Sequence, residues 1–204
     1  MRIALTGGIA CGKSFVSREL NAIGLATLDA DDIVHELIPA DERRRLANVV
    51  FGDPAARRAL EARIHPQVKQ RLAAFVAGTG WDAAARGPET ADLRVAVVPL
   101  LFEAHWEGDF DAIGCVTSER ATQIARMMAT RGYSRAEAEA RIEAQMPVGE
   151  KAAKSHYVIA NDGSEEQLRA SVARFADWLK KRLFGVFSPL PTLRCGRIDL
   201  DNLI

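Results

Sequence analysis

Eight consecutive residues near the N-terminus, Gly7-Gly8-Ile9-Ala10-Cys11-Gly12-Lys13-Ser14, carry the spacing G-x-x-x-x-G-K-S. Glycines let a backbone curl until successive N–H groups face one anion, and a helix starting at the lysine adds the positive end of its dipole. The lysine contributes a point charge, and the serine hydroxyl suits Mg²⁺. The motif predicts a nucleotide-phosphate cradle made by Gly8, Ile9, Ala10, Cys11, Gly12, Lys13, Ser14 and Phe15, with Ser14 as the Mg²⁺ ligand. A second cluster, Asp29-Ala30-Asp31-Asp32, follows shortly after. In phosphoryl transfer to an alcohol, one rigidly held carboxylate accepts the hydroxyl proton and a second assists the metal. Asp29 and Asp31 are the candidates for those roles, whereas Asp32 reads as a capping acid at a solvated helix start.

These residues need particular elements to hold them. Ile3-Ala4-Leu5 is a short apolar run ending at the glycines, and Phe15, Val16, Leu20 and Ile23 then recur at helical spacing, which gives strand, glycine loop, helix. A second strand over 25–29 ends at the carboxylates, placing them at the carboxyl edge of a sheet, where open α/β proteins bind ligands. A short helix follows as far as Pro39. Residues 41–77 have a helical pattern through Leu46, Val49, Val50, Leu60, Ile64, Val68, Leu72 and Phe75, interrupted at Gly52-Asp53-Pro54. A loop is expected over 78–90. The apolar runs 93–101 and 113–116 read as strands buried on both faces, with Leu100 and Leu101 in the core. Ser118-Glu119 opens a helix containing Arg126, Ser134 caps another, a polar helical piece covers 149–154, a strand covers 157–160, and a last helix covers 165–183. Strands alternating with helices, and no hairpin dipeptide between strands, predict an α/β fold with a parallel sheet.

Composition narrows the function classes. The chain has 204 residues, 48% hydrophobic and 26% charged, with 27 basic and 27 acidic side chains. That suits a folded domain with a substantial core and offers no overall basic field for a nucleic-acid backbone. Cys11, Cys115 and Cys195 lack metal-ligand spacing and form an odd set, which favours a reducing, cytosolic compartment. No apolar run is long enough for a signal core or a membrane span. The base-recognition signature N-K-x-D is absent, since none of Asn21, Asn48, Asn161 or Asn202 is followed by that pattern, so a guanine-nucleotide switch is disfavoured.

Further along the chain stand His65-Pro66, Pro99-Leu100-Leu101-Phe102-Glu103, Arg141 with Gln145-Met146-Pro147, and Asn161-Asp162-Gly163. Together with the Thr6-Gly7-Gly8-Ile9 opening and Asp29-Ala30-Asp31, their order and spacing resemble the dephospho-coenzyme A kinases from residue 1 to about 183. The resemblance implies a P-loop kinase fold with a helical acceptor-binding insertion and a lid. It implies ATP-dependent phosphorylation of the ribose 3′-hydroxyl of dephospho-CoA. By the same resemblance Asp31 is the catalytic base, Asp29 assists the metal and the acceptor, and Arg126 closes from the lid onto the transferred phosphoryl. A planar guanidinium suits that charge independently. Lys13 shares the catalytic role, while His65, Leu101, Glu103 and Arg141 fall on the acceptor side and Asn161 falls near the adenine of ATP. On spacing alone His65 reads as a helix-end histidine.

The chain departs from the family pattern in five places, one of them Phe15, which follows Ser14 where a small hydroxyl residue is usual. Only residues 33–64 separate the Asp29 cluster from His65, a shorter run than is usual. Ala10-Cys11 replaces the common Gly-Ser, Thr130-Arg131-Gly132 replaces Arg-Asp-Gly, and Ala160 replaces an acid. At Cys11 a small buried residue is the expected role, ahead of a redox-sensitive thiol. The expected organisation is a P-loop core over 1–38 and 91–184 with a lid at about 119–150, a helical insertion over 39–90, and a C-terminal extension over 185–204. A monomer acting on a small molecule, without membrane or nucleic acid, fits these features. Two rivals remain open: another small-molecule or nucleotide P-loop kinase, and an ATP-binding regulator without catalysis.

Overall fold

The computed structural model describes residues 1–38, 42 and 53–183. The apolar positions Leu46, Val49 and Val50, the boundary at Pro39, Cys195 and the extension over 185–204 lie outside them. The strands are β1 (Ile3–Gly7), β2 (Ala26–Asp29), β3 (Arg94–Val97), β4 (Ala112–Thr117) and β5 (Tyr157–Ala160). The helices are α1 (Lys13–Ala22), α2 (Ala30–Leu37), α3 (Pro54–Ala77), α4 (Arg120–Arg131), α5 (Arg135–Glu143), α6 (Val148–Ala153) and α7 (Glu165–Leu183). The strands form one parallel sheet in the order β2-β3-β1-β4-β5. β1 is therefore central, and the chain switches direction across it, which opens a crevice at the carboxyl edge beside the first loop.

Side chains alternate across each strand and feed two cores. On one face Ile3, Leu5, Val95 and Val97 pack against Val16 and Leu20 of α1 and Leu168, Val172 and Phe175 of α7. On the other, Ala4, Leu28 and Ala96 meet Ile33 of α2 and Ile64, Val68, Leu72 and Phe75 of α3. All five residues of β1 are buried, as its central place requires. Each fully buried Leu, Ile or Phe in these layers contributes about 1.5–3 kcal/mol.

Several sequence expectations need correction. The strand expected over 93–101 is only Arg94–Val97, because Pro99 has no N–H for the ladder and the chain turns away after it. Leu100 is 41% exposed instead of in the core. His65 is not at a helix end: α3 runs unbroken through Pro66 to Ala77. Elsewhere the local signals hold. Ser134 and Glu137 form a reciprocal capping box at the start of α5, and α1, β5 and α7 have the bounds their patterns predicted.

Candidate active site

The loop between β1 and α1 takes its shape from two positions of left-handed backbone. Gly12 has φ 93° and precedes α1 directly, a conformation glycine adopts without the Cβ clash. Ala10, where the family commonly has glycine, also has φ 56°. An alanine there costs about 1–2 kcal/mol, so the loop tolerates strain that the rest of the fold must hold in place. Lys13 reaches back across the loop and donates to the carbonyls of Gly7 at 3.0 Å and Gly8 at 2.9 Å. Burial pushes its ammonium pKa below the usual lysine value, so an anion beside it is strongly favoured.

The carboxylates reach the loop through the sheet register. Asp29 at the end of β2 and Leu5 of β1 both flank Val97 of β3, so Asp29 stands two strands from the start of the loop. At the usual interstrand spacing that is roughly 10 Å. The Asp29 carboxylate accepts the Asp31 N–H at 2.9 Å and so caps α2. Burial raises Asp29 to about 6, against the lowering effect of that hydrogen bond. Asp31 is exposed on the first turn of α2.

An open cleft of about 360 Å³ gathers the centre. Ile9, Ala10, Gly12, Lys13 and Ser14 line it from the loop, Asp29 and Asp31 from the β2 edge, Pro99 from the end of β3, and Arg126, Thr130, Arg131 and Gln145 from the α4–α6 side. Arg126 donates to Ser118 Oγ at 3.0 Å, to the Asn161 carbonyl at 2.9 Å and to Ala10 O at 3.3 Å, so its guanidinium rests on the loop. Ser14 and Asp29 also line an adjoining cleft of about 360 Å³ together with Asp32. A hydroxyl and a carboxylate sharing open space fit Mg²⁺, which binds few protein ligands and takes the rest from phosphate and water. Among the described residues no cluster of three or more His, Cys, Asp or Glu side chains forms a closed metal cage.

Other residues named from the sequence stand elsewhere. Leu101 is 0% exposed in the core beneath the site and offers no surface to a ligand. Asn161 is buried behind the loop, donating from Nδ2 to Cys11 O at 2.8 Å. Phe15 points away from the cleft and lies under the guanidinium groups of Arg18 and Arg169. Cys11 is buried, with its thiol pKa raised by that burial, which supports the small-residue role. Glu103 pairs with Lys151 at 2.8 Å and accepts the Met146 N–H at 3.0 Å. His65 on α3 makes an edge-on contact with Trp106, and Arg141 lies over the Tyr133 ring. Neither lines the cleft that holds the carboxylates.

Sequence reasoning missed three residues. Lys151 is fully buried and donates to Pro99 O at 2.9 Å besides its pairing with Glu103. Gln123 is buried against the loop, and Gln145 accepts the Ile9 N–H at 3.1 Å. Gln145 lay inside a motif that the resemblance marked, but nothing local in the sequence distinguished Gln123 or Lys151 from other helical polar residues.

A glycine loop with an inward lysine, opposite carboxylates at a parallel sheet's switch point and beneath an arginine-bearing helix, defines a P-loop phosphotransferase. Comparison with known proteins narrows the class. The family model for dephospho-CoA kinase matches residues 1–42 and 40–167. The dephospho-CoA kinase of Symbiobacterium thermophilum is 38% identical over 83% of this chain and 77% of its own. That of Geobacter sulfurreducens is 36% identical over 88% of this chain and 98% of its own. The chain belongs to the dephospho-CoA kinase family. Among solved structures, TT1252 from Thermus thermophilus superposes with a TM-score of 0.66 at 34% identity, covering 86% of this chain and 96% of that one. A shikimate kinase from Bacteroides thetaiotaomicron, at 16% identity and TM-score 0.52 over 88% of this chain and 98% of its own, shares the fold.

Proposed function

We propose that this chain transfers the γ-phosphoryl group of ATP to the ribose 3′-hydroxyl of dephospho-CoA, yielding coenzyme A and ADP, and that the cleft above divides the work as follows. The N–H groups of the loop and Lys13 hold the donor phosphates. Ser14 and Asp29 would hold Mg²⁺, whose charge offsets that of the phosphates when it is bound. Asp31, exposed to the cleft, takes the hydroxyl proton as the sugar oxygen attacks phosphorus and the bond to the ADP oxygen breaks. Asp29 fixes the Asp31 backbone through the α2 cap. Arg126, with Arg131 beside it, places positive charge over the equatorial oxygens of the moving phosphoryl. Positioning and electrostatics supply most of the acceleration, because little covalent chemistry is left to the protein.

One observation carries this reading: Lys13, Asp29, Asp31 and Arg126, drawn from three separate segments, converge on one cleft. Residues 119–150 act as the lid and 39–90 as the acceptor insertion, in a cytosolic monomer. A coupled assay for ADP release tests the proposal. Release depends on both dephospho-CoA and Mg²⁺, and Asp31→Asn lowers turnover by about 10² or more, the usual size of a general-base contribution, while ATP binding persists. Unchanged turnover removes Asp31 from the chemistry. A panel of other small alcohols and nucleosides separates this activity from that of another P-loop kinase, and ATP binding without any transfer indicates a regulator.

A further inference from the structure

We infer that Gln123 and Asn161 are positioning residues of the donor site, holding the carbonyls of the phosphate loop backward so that its N–H groups face the cleft. In a trans peptide the C=O of one residue and the N–H of the next point in opposite directions, so pinning the carbonyl aims the amide. Gln123 Nε2 donates to Ile9 O at 2.6 Å, which turns the Ala10 N–H the other way. Asn161 Nδ2 donates to Cys11 O at 2.8 Å, which does the same for the Gly12 N–H. Ala10 and Gly12 both line the cleft. The two supporting side chains are 2% and 7% exposed, so they sit behind the loop, out of solvent.

The loop's own sequence carries the imprint of these supports. A Cβ on Gly8 would lie 2.7 Å from Gln123 Nε2, and a Cβ on Gly12 would lie 2.3 Å from Asn161 Nδ2. Two of the loop's glycines thus leave the space that a donor amide occupies, quite apart from what they do for the backbone. Gln123 also reaches Cys11 Sγ at 3.3 Å, and Asn161 is itself held by Arg126, which donates to its Oδ1 at 3.3 Å. Without the supports, the peptide units 9–10 and 11–12 are free to rotate and present a carbonyl oxygen to a phosphate, which repels it.

The inference rests on reading the loop as the ATP site, and the test separates the two. On the full-length protein, ATP affinity by titration calorimetry and KM for each substrate are measured for Gln123→Leu and Asn161→Asp. Each is expected to weaken ATP binding about tenfold, the size of one charge-assisted amide contact, with KM for dephospho-CoA essentially unchanged. Gln123→Glu adds a signature that simple loss of packing does not give. Its buried carboxyl donates to Ile9 O when protonated and repels it when ionised, so ATP affinity relative to the parent recovers as pH falls from about 8 to about 5.5. The titratable group it touches, Cys11 on the loop, and the Lys13 and Arg126 charges that act on that thiol are present in the parent, whose profile supplies the reference. ATP affinity equal to the parent's in Gln123→Leu and Asn161→Asp, equal losses for both substrates, or a Gln123→Glu profile parallel to the parent's overturns the inference. If one variant fails to fold, the other two read the same quantity. An unmodified protein that binds no ATP, or a Lys13→Met variant that binds it normally, overturns the donor-site reading instead.

Discussion

On the donor side of the cleft the residues proposed to hold phosphate are neighbours in the chain, running from Gly7 at the end of β1 to Ser14 in the first turn of α1. On the acceptor side the named residues come from three separate places: His65 on α3, Leu101 and Glu103 after β3, and Arg141 on α5. Ile9, Ala10, Gly12, Lys13 and Ser14 of the first group line one cleft, while the second is spread over core, ion pair and ring contacts. A loop of consecutive residues has its geometry dictated by local backbone rules, so its function can be read one residue at a time. A surface assembled from distant segments has no such rule, and a residue's place in a motif does not say whether its side chain faces ligand or core.

The largest expected effect probes the joint between the two sides. Lys151 ties α6 to Pro99 and Glu103, where the end of β3 enters the acceptor region. Lys151→Met leaves Glu103 partly buried without its cation and lowers unfolding free energy by about 3–5 kcal/mol. The double variant with Glu103→Leu recovers most of that loss, as urea titration will show. Recovery means that the pair specifies an arrangement and adds little net stability. No recovery means that the two residues act separately.

Asp29→Asn sharpens the donor half. Asparagine still caps α2, so the fold keeps its local support. Because burial raises the folded pKa from 3.8 to about 6, the folded state holds this proton more tightly, and stability is lost as pH rises through that window. The variant escapes that loss, so it gains on the order of 2–3 kcal/mol at pH 8 and little at pH 4. Turnover falls by about 10² or more, since the metal and acceptor lose their carboxylate. Differential scanning calorimetry at the two pH values, alongside the kinase assay, reads both effects. Higher stability with full activity removes Asp29 from the site. In the parent enzyme, kcat/KM should decline as pH drops below about 6, when Asp29 takes up its proton.

Smaller changes test each side separately. Ala10→Gly removes a left-handed alanine and stabilises the protein by about 1 kcal/mol, observable as a higher Tm. Arg141→Ala loses its contact over Tyr133, worth about 0.5–1 kcal/mol at an exposed site. If Arg141 serves only that contact, KM for dephospho-CoA stays unchanged. A large rise in KM brings Arg141 back to the acceptor side and weakens the contrast between the two regions.

Much of the architecture was legible from pattern. α1, β5 and α7 occupy the spans that apolar spacing assigned, and Ser134 caps α5 as its residue type suggested. The errors cluster where pattern and placement diverge. Leu100 and Leu101 are identical by type, yet one is 41% and the other 0% exposed, because the chain turns after Pro99 and only one of them faces inward. His65-Pro66 reads as a helix boundary by local preference, yet packing of Ile64, Val68 and Leu72 carries α3 straight through it.

By itself the sequence determined the strand, loop and helix that form the phosphate cradle and placed two aspartates at the end of the next strand, since backbone conformation and side-chain period act over neighbouring residues. Only the tertiary structure decided what stands behind that cradle. Gln123 lies 114 positions from the Ile9 carbonyl it holds, Asn161 lies 150 from that of Cys11, and Lys151 lies 52 from Pro99. Such partners share no local periodicity with the groups they bind. They meet because each buried polar group must find a hydrogen bond once the sheet has closed around it, and only the folded chain shows which one it found.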